Sequence, residues 1–180
     1  MGKKTEVEFI GREIKVSVTD GSTTLTQTIL PEMVSQVEKD FEVPSDAAVK
    51  FLVTYVSCSL RNVGDEAASQ AEMMDEITKG VKADEVWIIG YLKAFCKQIL
   101  PSVIEEIDRA KAAGQDPNTA VSIAFSVPVD TATAFVASAE LMGHGLSDEQ
   151  IAEVFIAGIK GESAKDIAKR YGLDDETDEA

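Results

Sequence analysis

The side chains that most readily do nucleophilic, acid–base or metal chemistry are scarce in this sequence. It contains one histidine, His144, and two cysteines, Cys58 and Cys96. A single histidine excludes metal centres that need two, and the two cysteines lack the close spacing of a zinc knuckle. Both cysteines lie in apolar segments, which predicts small buried side chains rather than reactive thiols. We therefore expect no metal site and no catalytic residue among them.

His144 stands between Gly143 and Gly145, where one apolar segment ends and another approaches. Flanking glycines are typical of a left-handed helix C-cap, and a histidine there lies near the negative end of the helix dipole. An exposed His144 acting as a general base or pH sensor is the alternative. Because the sequence points to no Ser, Cys or Asp partner for the imidazole, we favour the capping role.

Carboxylates are the most abundant reactive groups. They cluster in residues 65–76 and 105–108 without the spacing of a calcium-binding loop, so we interpret them as solvated helix faces. The glycine patterns of nucleotide-binding loops and the Gly-x-Ser-x-Gly motif of hydrolases are also missing, and we expect no cofactor. A carboxylate-based enzyme stays open as an alternative, since Asp and Glu pairs that meet only in space leave no sequence motif.

The chain as a whole is strongly acidic. Its 180 residues include 17 Lys and Arg against 32 Asp and Glu, which gives a net charge of −15. This charge argues against a surface that binds nucleic acid or anionic lipid. The most apolar run, residues 86–100, contains Lys93 and Lys97 and is shorter than the roughly 20 apolar residues that span a bilayer, so no membrane segment is predicted. The few cysteines and the lack of an apolar leader predict a cytoplasmic location.

The first thirty residues predict β-structure. Polar and apolar residues alternate around Gly11-Arg12, which is typical of two strands joined by a Gly-X turn, and Asp20-Gly21 marks a second turn before a β-branched segment at 24–29. The apolar residues of this pattern are Phe9 and Ile10 before the turn and Ile14, Val16 and Val18 after it. Four Lys and Arg balance four Asp and Glu in residues 1–30, so the whole net charge of −15 lies after residue 30.

From Pro31 onward, Pro or small polar residues precede apolar segments and Gly or Pro follows them, which predicts helices. The predicted helices are 31–42, 45–62, 65–79, 83–100, 101–113, 117–126, 130–142, 147–160 and 163–171. The helix at 83–100 is apolar on more than one face, so we place the centre of the core at Trp87, Phe95 and Ile99. Small residues in 130–142 predict close helix–helix approach.

The carboxyl end carries the most specific pattern. Ser147 and Gln150 fit a capping box, Gly161 ends the first helix, and Ser163 with Asp166 repeats the capping pattern before a second helix. The residues involved are Leu146-Ser147, Ile151, Val154, Gly161-Glu162-Ser163, Ile167-Ala168 and Gly172. Residues 146–173 resemble the first two helices of the helix-turn-helix of resolvase-type recombinases and related transposases.

That resemblance implies a third helix that enters the DNA major groove with donor side chains. The corresponding residues here, 174–180, contain five carboxylates, which phosphate repels. No recognition residue can therefore be carried over. Lys165, Lys169 and Arg170 remain as a candidate interaction surface, or as local partners of neighbouring acidic residues.

We thus expect a mainly α (α+β) fold, a multi-helix domain with an N-terminal β-hairpin or three-stranded meander. The predicted segments are 1–30 (meander), 31–145 (helical core), 146–173 (helix-turn-helix-like hairpin) and 174–180 (acidic tail). For function, we expect a non-enzymatic cytoplasmic interaction or regulatory protein whose partner is another protein or a second copy of the chain. A DNA-binding regulator with a degenerate helix-turn-helix and a carboxylate-based enzyme are the alternatives.

Overall fold

The fold is mainly α-helical with a three-stranded antiparallel meander at the N-terminus, as the sequence predicts. The computed structural model describes residues 2–172, apart from the side chains of residues 164, 165 and 168. The strands are β1 (Lys4–Ile10), β2 (Glu13–Asp20) and β3 (Thr23–Ile29). The helices are α1 (Pro31–Phe41), α2 (Ser45–Arg61), α3 (Glu66–Lys82), α4 (Val86–Ala112), α5 (Pro117–Phe125), α6 (Val129–Met142), α7 (Asp148–Ile159) and α8 (Ala164–Arg170).

The sheet has the order β1-β2-β3, and two-residue turns join its strands. Ile10 pairs with Glu13 across the first turn, where Gly11 has a φ of 62°. Gly21 has a φ of 63° at the equivalent position of the second turn. A positive φ at the first central residue is the conformation that tight hairpin turns require and that glycine adopts without strain, so both predicted turns are confirmed.

One face of β2 packs into the core of the first half of the chain. Ile14, Val16 and Val18 are buried, and α2 packs against β2 and β3. The intervening residues of β2 face the other side, where Ser17 and Thr26 share a hydrogen bond of 3.0 Å. This division follows from the period of two in a strand, with one face packed and one face hydrated.

Two predicted helices, 83–100 and 101–113, form the single helix α4, so the predicted break at Pro101 is wrong. Proline removes only its own N–H from the helix ladder and crowds the carbonyl one turn earlier. Pro101 is exposed, so water can solvate that carbonyl. A buried stripe of Leu92, Cys96, Leu100, Val103 and Ile107 continues on both sides of it, and this burial favours the unbroken helix.

The predicted centre of the core is right for Trp87 and wrong for Phe95 and Ile99. Trp87 is buried and packs against Phe51, with ring centroids 6.0 Å apart. Phe95 and Ile99 are half-buried because each lies on the flank of the buried stripe of α4. The Phe95 ring still packs against Phe135, at a centroid distance of 5.7 Å.

The chain divides after Gly90 into two compact units. The division falls inside the segment 31–145 that the sequence predicts as one helical domain. Backbone compactness does not measure independent folding, so the four predicted segments stay predictions. The acidic tail, 174–180, lies outside the described residues.

In the second unit, α6 and α7 approach each other closely, as the small residues of α6 predict. A Cβ placed on Gly158 of α7 would lie 2.9 Å from the Cβ of Ala134 in α6. The next helix joins this pair through an apolar cluster of Leu141, Val154, Ala157 and Ile167, with Leu146 and Tyr171 packed at its border. Of the apolar residues in this helix pair, Ile151, Val154, Phe155 and Ile167 are buried, whereas Tyr171 is half-buried.

Among the described residues, no single helix is both long and apolar enough to cross a membrane. The pair of α5 and α6 reaches the required length and hydropathy together, but the two helices meet at an angle of 113°.

Candidate interaction surface

Three large apolar side chains of β1 are exposed at the edge of the sheet. The exposed fractions are 40% for Val7, 68% for Phe9 and 51% for Ile10. We call these three residues the β1 surface. Side chains alternate along a strand, so Val7 and Phe9 share one face of β1 and Ile10 lies on the other. Single exposed apolar residues are ordinary, whereas adjacent exposed apolar side chains on one face, here Val7 and Phe9, are typical of a binding surface.

The position of α2 explains why these side chains are exposed. In the β1–β2 register, Val7 pairs with Val16 and Phe9 with Ile14, so both continue the apolar face of β2. The helix reaches the beginning of β1, where the guanidinium of Arg61 donates to the Thr5 hydroxyl at 2.9 Å. Beyond Thr5 the strand continues towards the turn with its apolar side chains exposed.

The backbone of β1 also presents hydrogen-bonding groups at the free edge of the described sheet. A β-turn is closed by a hydrogen bond that the N–H of its fourth residue donates to the carbonyl of its first, which makes Ile10 and Glu13 a hydrogen-bonded pair. Hydrogen-bonded and non-hydrogen-bonded pairs alternate along an antiparallel ladder. Thr5, Val7 and Phe9 therefore direct their N–H and C=O groups away from β2, on the strand that forms this edge.

The charges on the opposite face of β1 are locally balanced. The Lys4 ammonium lies 3.1 Å from the Glu6 carboxylate. Glu8 stands opposite Lys15 in the register. This arrangement offers apolar contact and strand pairing rather than acid–base chemistry, and both are means by which a sheet edge recognises an extended polypeptide.

The predicted interaction residues Lys165, Lys169 and Arg170 lie on α8, in the second unit. The side chain of Lys165 is outside what the structure describes, and Lys169 is exposed. Arg170 forms an ion pair with Glu162. For Arg170, this ion pair matches the alternative stated above, in which the basic residues pair with neighbouring acidic residues. The interaction surface of Lys165, Lys169 and Arg170 stays a prediction.

Beside these residues, Tyr171 donates from its hydroxyl to the Glu153 carboxylate at 2.7 Å, which links the end of α8 to α7. Partial burial raises the pKa of Tyr171, and the bond to Glu153 adds to the effect. The hydroxyl therefore keeps its proton, and with it this bond, above the pH at which an ordinary tyrosine ionises.

Cys58, Cys96 and His144 are the side chains best suited to nucleophilic or acid–base chemistry, and the structure places none of them as such a site requires. Cys58 and Cys96 are buried, as predicted. Burial raises the pKa of Cys58, to which nearby Glu72 contributes, and burial raises the pKa of Cys96 to about 12. Both thiols are therefore protonated near neutral pH, the opposite of what a nucleophile needs.

His144 is exposed after α6, and its backbone N–H donates to the carbonyl of Leu141 at 3.0 Å. The predicted left-handed geometry occurs at Gly145, with a φ of 79°, but not at Gly143, which has a φ of −69°. The left-handed turn therefore comes three residues after Met142, the last residue of α6, and Gly143 itself keeps helical geometry.

A groove of about 650 Å³ lies between the end of α4 and α5. Its carboxylates have structural partners: Arg109 donates to Glu106 at 3.0 Å, and Asp116 accepts from the N–H of Thr119 at 3.0 Å. The bond from Arg109 lowers the pKa of Glu106, whereas a general acid needs a raised one. Among the described residues, no group of three or more His, Cys, Asp or Glu is placed to hold a metal ion.

Sequence reasoning missed the β1 surface as a candidate site. The alternation of Val7 and Phe9 with Glu6 and Glu8 was available as a signal, but it indicates a strand with two unlike faces and does not say which strand the helices leave uncovered. The charge balance of residues 1–30 was the second signal. It separates this part of the chain from the acidic remainder.

Compared with known protein families, curated proteins and solved structures, the chain shows no significant match to any of them.

Proposed function

We propose that this protein is a non-enzymatic interaction or regulatory protein that binds another polypeptide through the β1 surface. The observation that carries the proposal is the coincidence, on one edge strand, of exposed apolar side chains and outward-directed backbone groups. Phe9 is the most exposed of the three apolar side chains.

The physical argument is that one partner can satisfy both features at once. An extended segment added to β1 hydrogen-bonds to Thr5, Val7 and Phe9 and covers the last two side chains. Burial of apolar surface contributes roughly 25 cal/mol per Å², and the backbone bonds fix the direction of the added strand. Charged side chains at an edge oppose such pairing, but Lys4, Glu6 and Glu8 lie on the face of β1 opposite Val7 and Phe9 and are locally balanced, and apolar side chains at an edge promote pairing.

Two alternatives make different demands. A DNA-binding regulator needs cations arranged against phosphates, and a carboxylate enzyme needs a pocket with a carboxyl group of raised pKa. The β1 surface serves neither purpose, since it offers carbon atoms and backbone groups. We include the cytoplasmic location in the proposal, because two buried thiols and no disulfide among the described residues suit a reducing compartment.

Site-specific photo-crosslinking in the source cell tests the proposal. A benzophenone analogue of phenylalanine replaces Phe9, and the same analogue replaces Ile123 as the control, since Ile123 is 75% exposed but lies on α5. Irradiation is expected to give a discrete protein adduct at position 9 and only diffuse, weak labelling at position 123. Equal labelling at both positions, or none at position 9, overturns the proposal.

A further inference from the structure

We infer that the polypeptide that pairs with β1 is a second copy of this chain, so that two sheets join edge to edge. This inference rests on the proposed function and names its partner. Three observations lead to it: the charge balance of the N-terminal segment, the exposed apolar residues of β1, and the pattern of charges along the strand.

Charge limits where two copies of this protein can meet. Each copy carries a net charge of −15, all of it after residue 30, while residues 1–30 are neutral. Charges separated by more than about 8 Å are largely screened at physiological ionic strength, so the charge at the contact matters most. The meander is the segment where a second copy meets balanced charge and exposed apolar side chains together.

Symmetry restricts how the two strands pair. A two-fold axis perpendicular to the sheet keeps the apolar faces of both copies on the same side. Such an axis lies midway between one residue of β1 and the same residue of the second copy, and that residue defines the register. Residues whose backbone groups point outward, such as Thr5, Val7 and Phe9, then face residues of the second copy whose backbone groups also point outward. Every outward hydrogen-bonding group within the overlap finds a partner of the required kind.

Charge selects among the symmetric registers. With the axis at Glu6, Lys4 of each copy stands opposite Glu8 of the other, and Thr5 stands opposite Val7. With the axis at Val7, Glu6 stands opposite Glu8 twice, and opposed like charges are destabilising. With the axis at Glu8, that residue faces its own copy and no Lys–Glu pair forms.

The register centred on Glu6 also gives Glu6 and Phe9 acceptable neighbours. The two Glu6 side chains face each other, but each lies 3.1 Å from Lys4 of its own strand. Phe9 stands opposite Lys3, whose ammonium donates to the backbone carbonyl of Arg61 and whose aliphatic stem can contact the ring. This register therefore forms two charge pairs and reduces the exposure of the most exposed apolar side chain.

Sedimentation velocity on the full chain tests the inference. The expected species has twice the chain mass of 19.3 kDa. Phe9→Lys is expected to give the monomer, whereas Val63→Lys, at a residue that is 63% exposed between α2 and α3, is expected to leave the dimer unchanged. A wild-type protein that remains monomeric at every concentration, or a dimer that persists in Phe9→Lys, overturns the inference.

Charge exchange tests the register. Lys4→Glu alone and Glu8→Lys alone each create two like-charge pairs, so the dissociation constant of each variant is expected to rise about tenfold. Mixed together they restore two opposite-charge pairs, and a heterodimer of near wild-type affinity is expected. Failure of the mixture to recover affinity contradicts the register centred on Glu6.

The two proposals fail in different ways. A β1 adduct with another protein, combined with a monomeric wild-type chain, overturns the second copy as partner and leaves the proposed function standing. An adduct whose mass is that of two copies supports both. No adduct at position 9 together with a monomer overturns both.

Discussion

Phe9 and Ile14 are direct neighbours across the β1–β2 ladder and lie on the same face of the sheet, yet Phe9 is 68% exposed and Ile14 is 5% exposed. Adjacent strands are only about 5 Å apart, so the border of the helical layer falls between these two side chains. The apolar face of the sheet is thus wider than the helices that cover it, and its most exposed side chain lies on β1.

This difference predicts unequal effects of truncation on stability. Ile14→Ala removes buried carbon from a packed site and is expected to lower the free energy of unfolding by about 2–5 kcal/mol. Phe9→Ala removes carbon already in water and is expected to change it by less than about 0.5 kcal/mol. Urea denaturation at low protein concentration, where a dimer dissociates, measures both. A large loss for Phe9→Ala would show that its ring packs in the monomer.

The strands and most helices could be predicted from the sequence because their signals are local. Gly11 and Gly21 mark the turns. Asp116 caps the N-terminus of α5, as expected of an acidic residue that directly precedes a proline at the first helical position. Pro101 misled the prediction because the tendency of proline to end helices is local, while the buried stripe that carries α4 past it depends on tertiary packing.

The candidate site was not predictable in the same way. Whether Val7 and Phe9 are covered depends on where α2 lies over the sheet, and no local pattern in β1 contains that information. The converse holds for Arg170, whose charge suggests an interaction surface until its partner Glu162 is located. The ion pair between Arg170 and Glu162 and the position of α2 over the sheet both depend on the folded structure, so neither can be read from a local sequence pattern.

The close approach of α6 and α7 gives a second prediction. Gly158→Ala gains up to about 1 kcal/mol of helix propensity but brings a methyl group within 2.9 Å of the Ala134 side chain and 3.3 Å of its Cα. Overpacking against backbone typically costs about 1–3 kcal/mol, so we expect a net loss of stability. Gly143→Ala is the matched control, since it has helical φ and its nearest atom is 3.8 Å away.

Thermal unfolding followed by circular dichroism compares the two glycine variants. The melting temperature is expected to fall in Gly158→Ala and to stay level or rise slightly in Gly143→Ala. Equal melting temperatures for the two variants would mean that α6 and α7 can separate at little cost.

The buried thiol of Cys96 gives a prediction about pH. Burial raises its pKa to about 12, so its native thiol stays protonated where an ordinary thiol is largely ionised. A group whose pKa is raised by folding stabilises the protein fully below its unfolded pKa, and this contribution is lost as the pH rises through the folded value. The stability of the wild type relative to Cys96→Ala is therefore expected to decline above about pH 9.

Alkylation with iodoacetamide at about pH 9, read by peptide mass spectrometry, measures the same property directly. Cys96 is expected to react at least about a hundredfold more slowly in the native protein than in urea, because its native thiolate fraction is small. Rapid native alkylation of Cys96 would show that the second unit opens frequently or that the thiol is not buried.

The last prediction concerns DNA and the C-terminal helix pair. Binding to duplex DNA begins with cations placed against phosphates, and its electrostatic part is greatest at low salt. At this end of the chain, Arg170 is paired with Glu162, and residues 174–180, which lie outside the described part, carry five carboxylates. A fluorescence-anisotropy titration of labelled duplex DNA at low salt is therefore expected to show no saturable binding. The paired variant Lys169→Glu, Arg170→Glu is the control, and it should behave as the wild type does. Salt-sensitive binding by the wild type that this variant abolishes would instead favour the DNA-binding regulator over the protein-binding role.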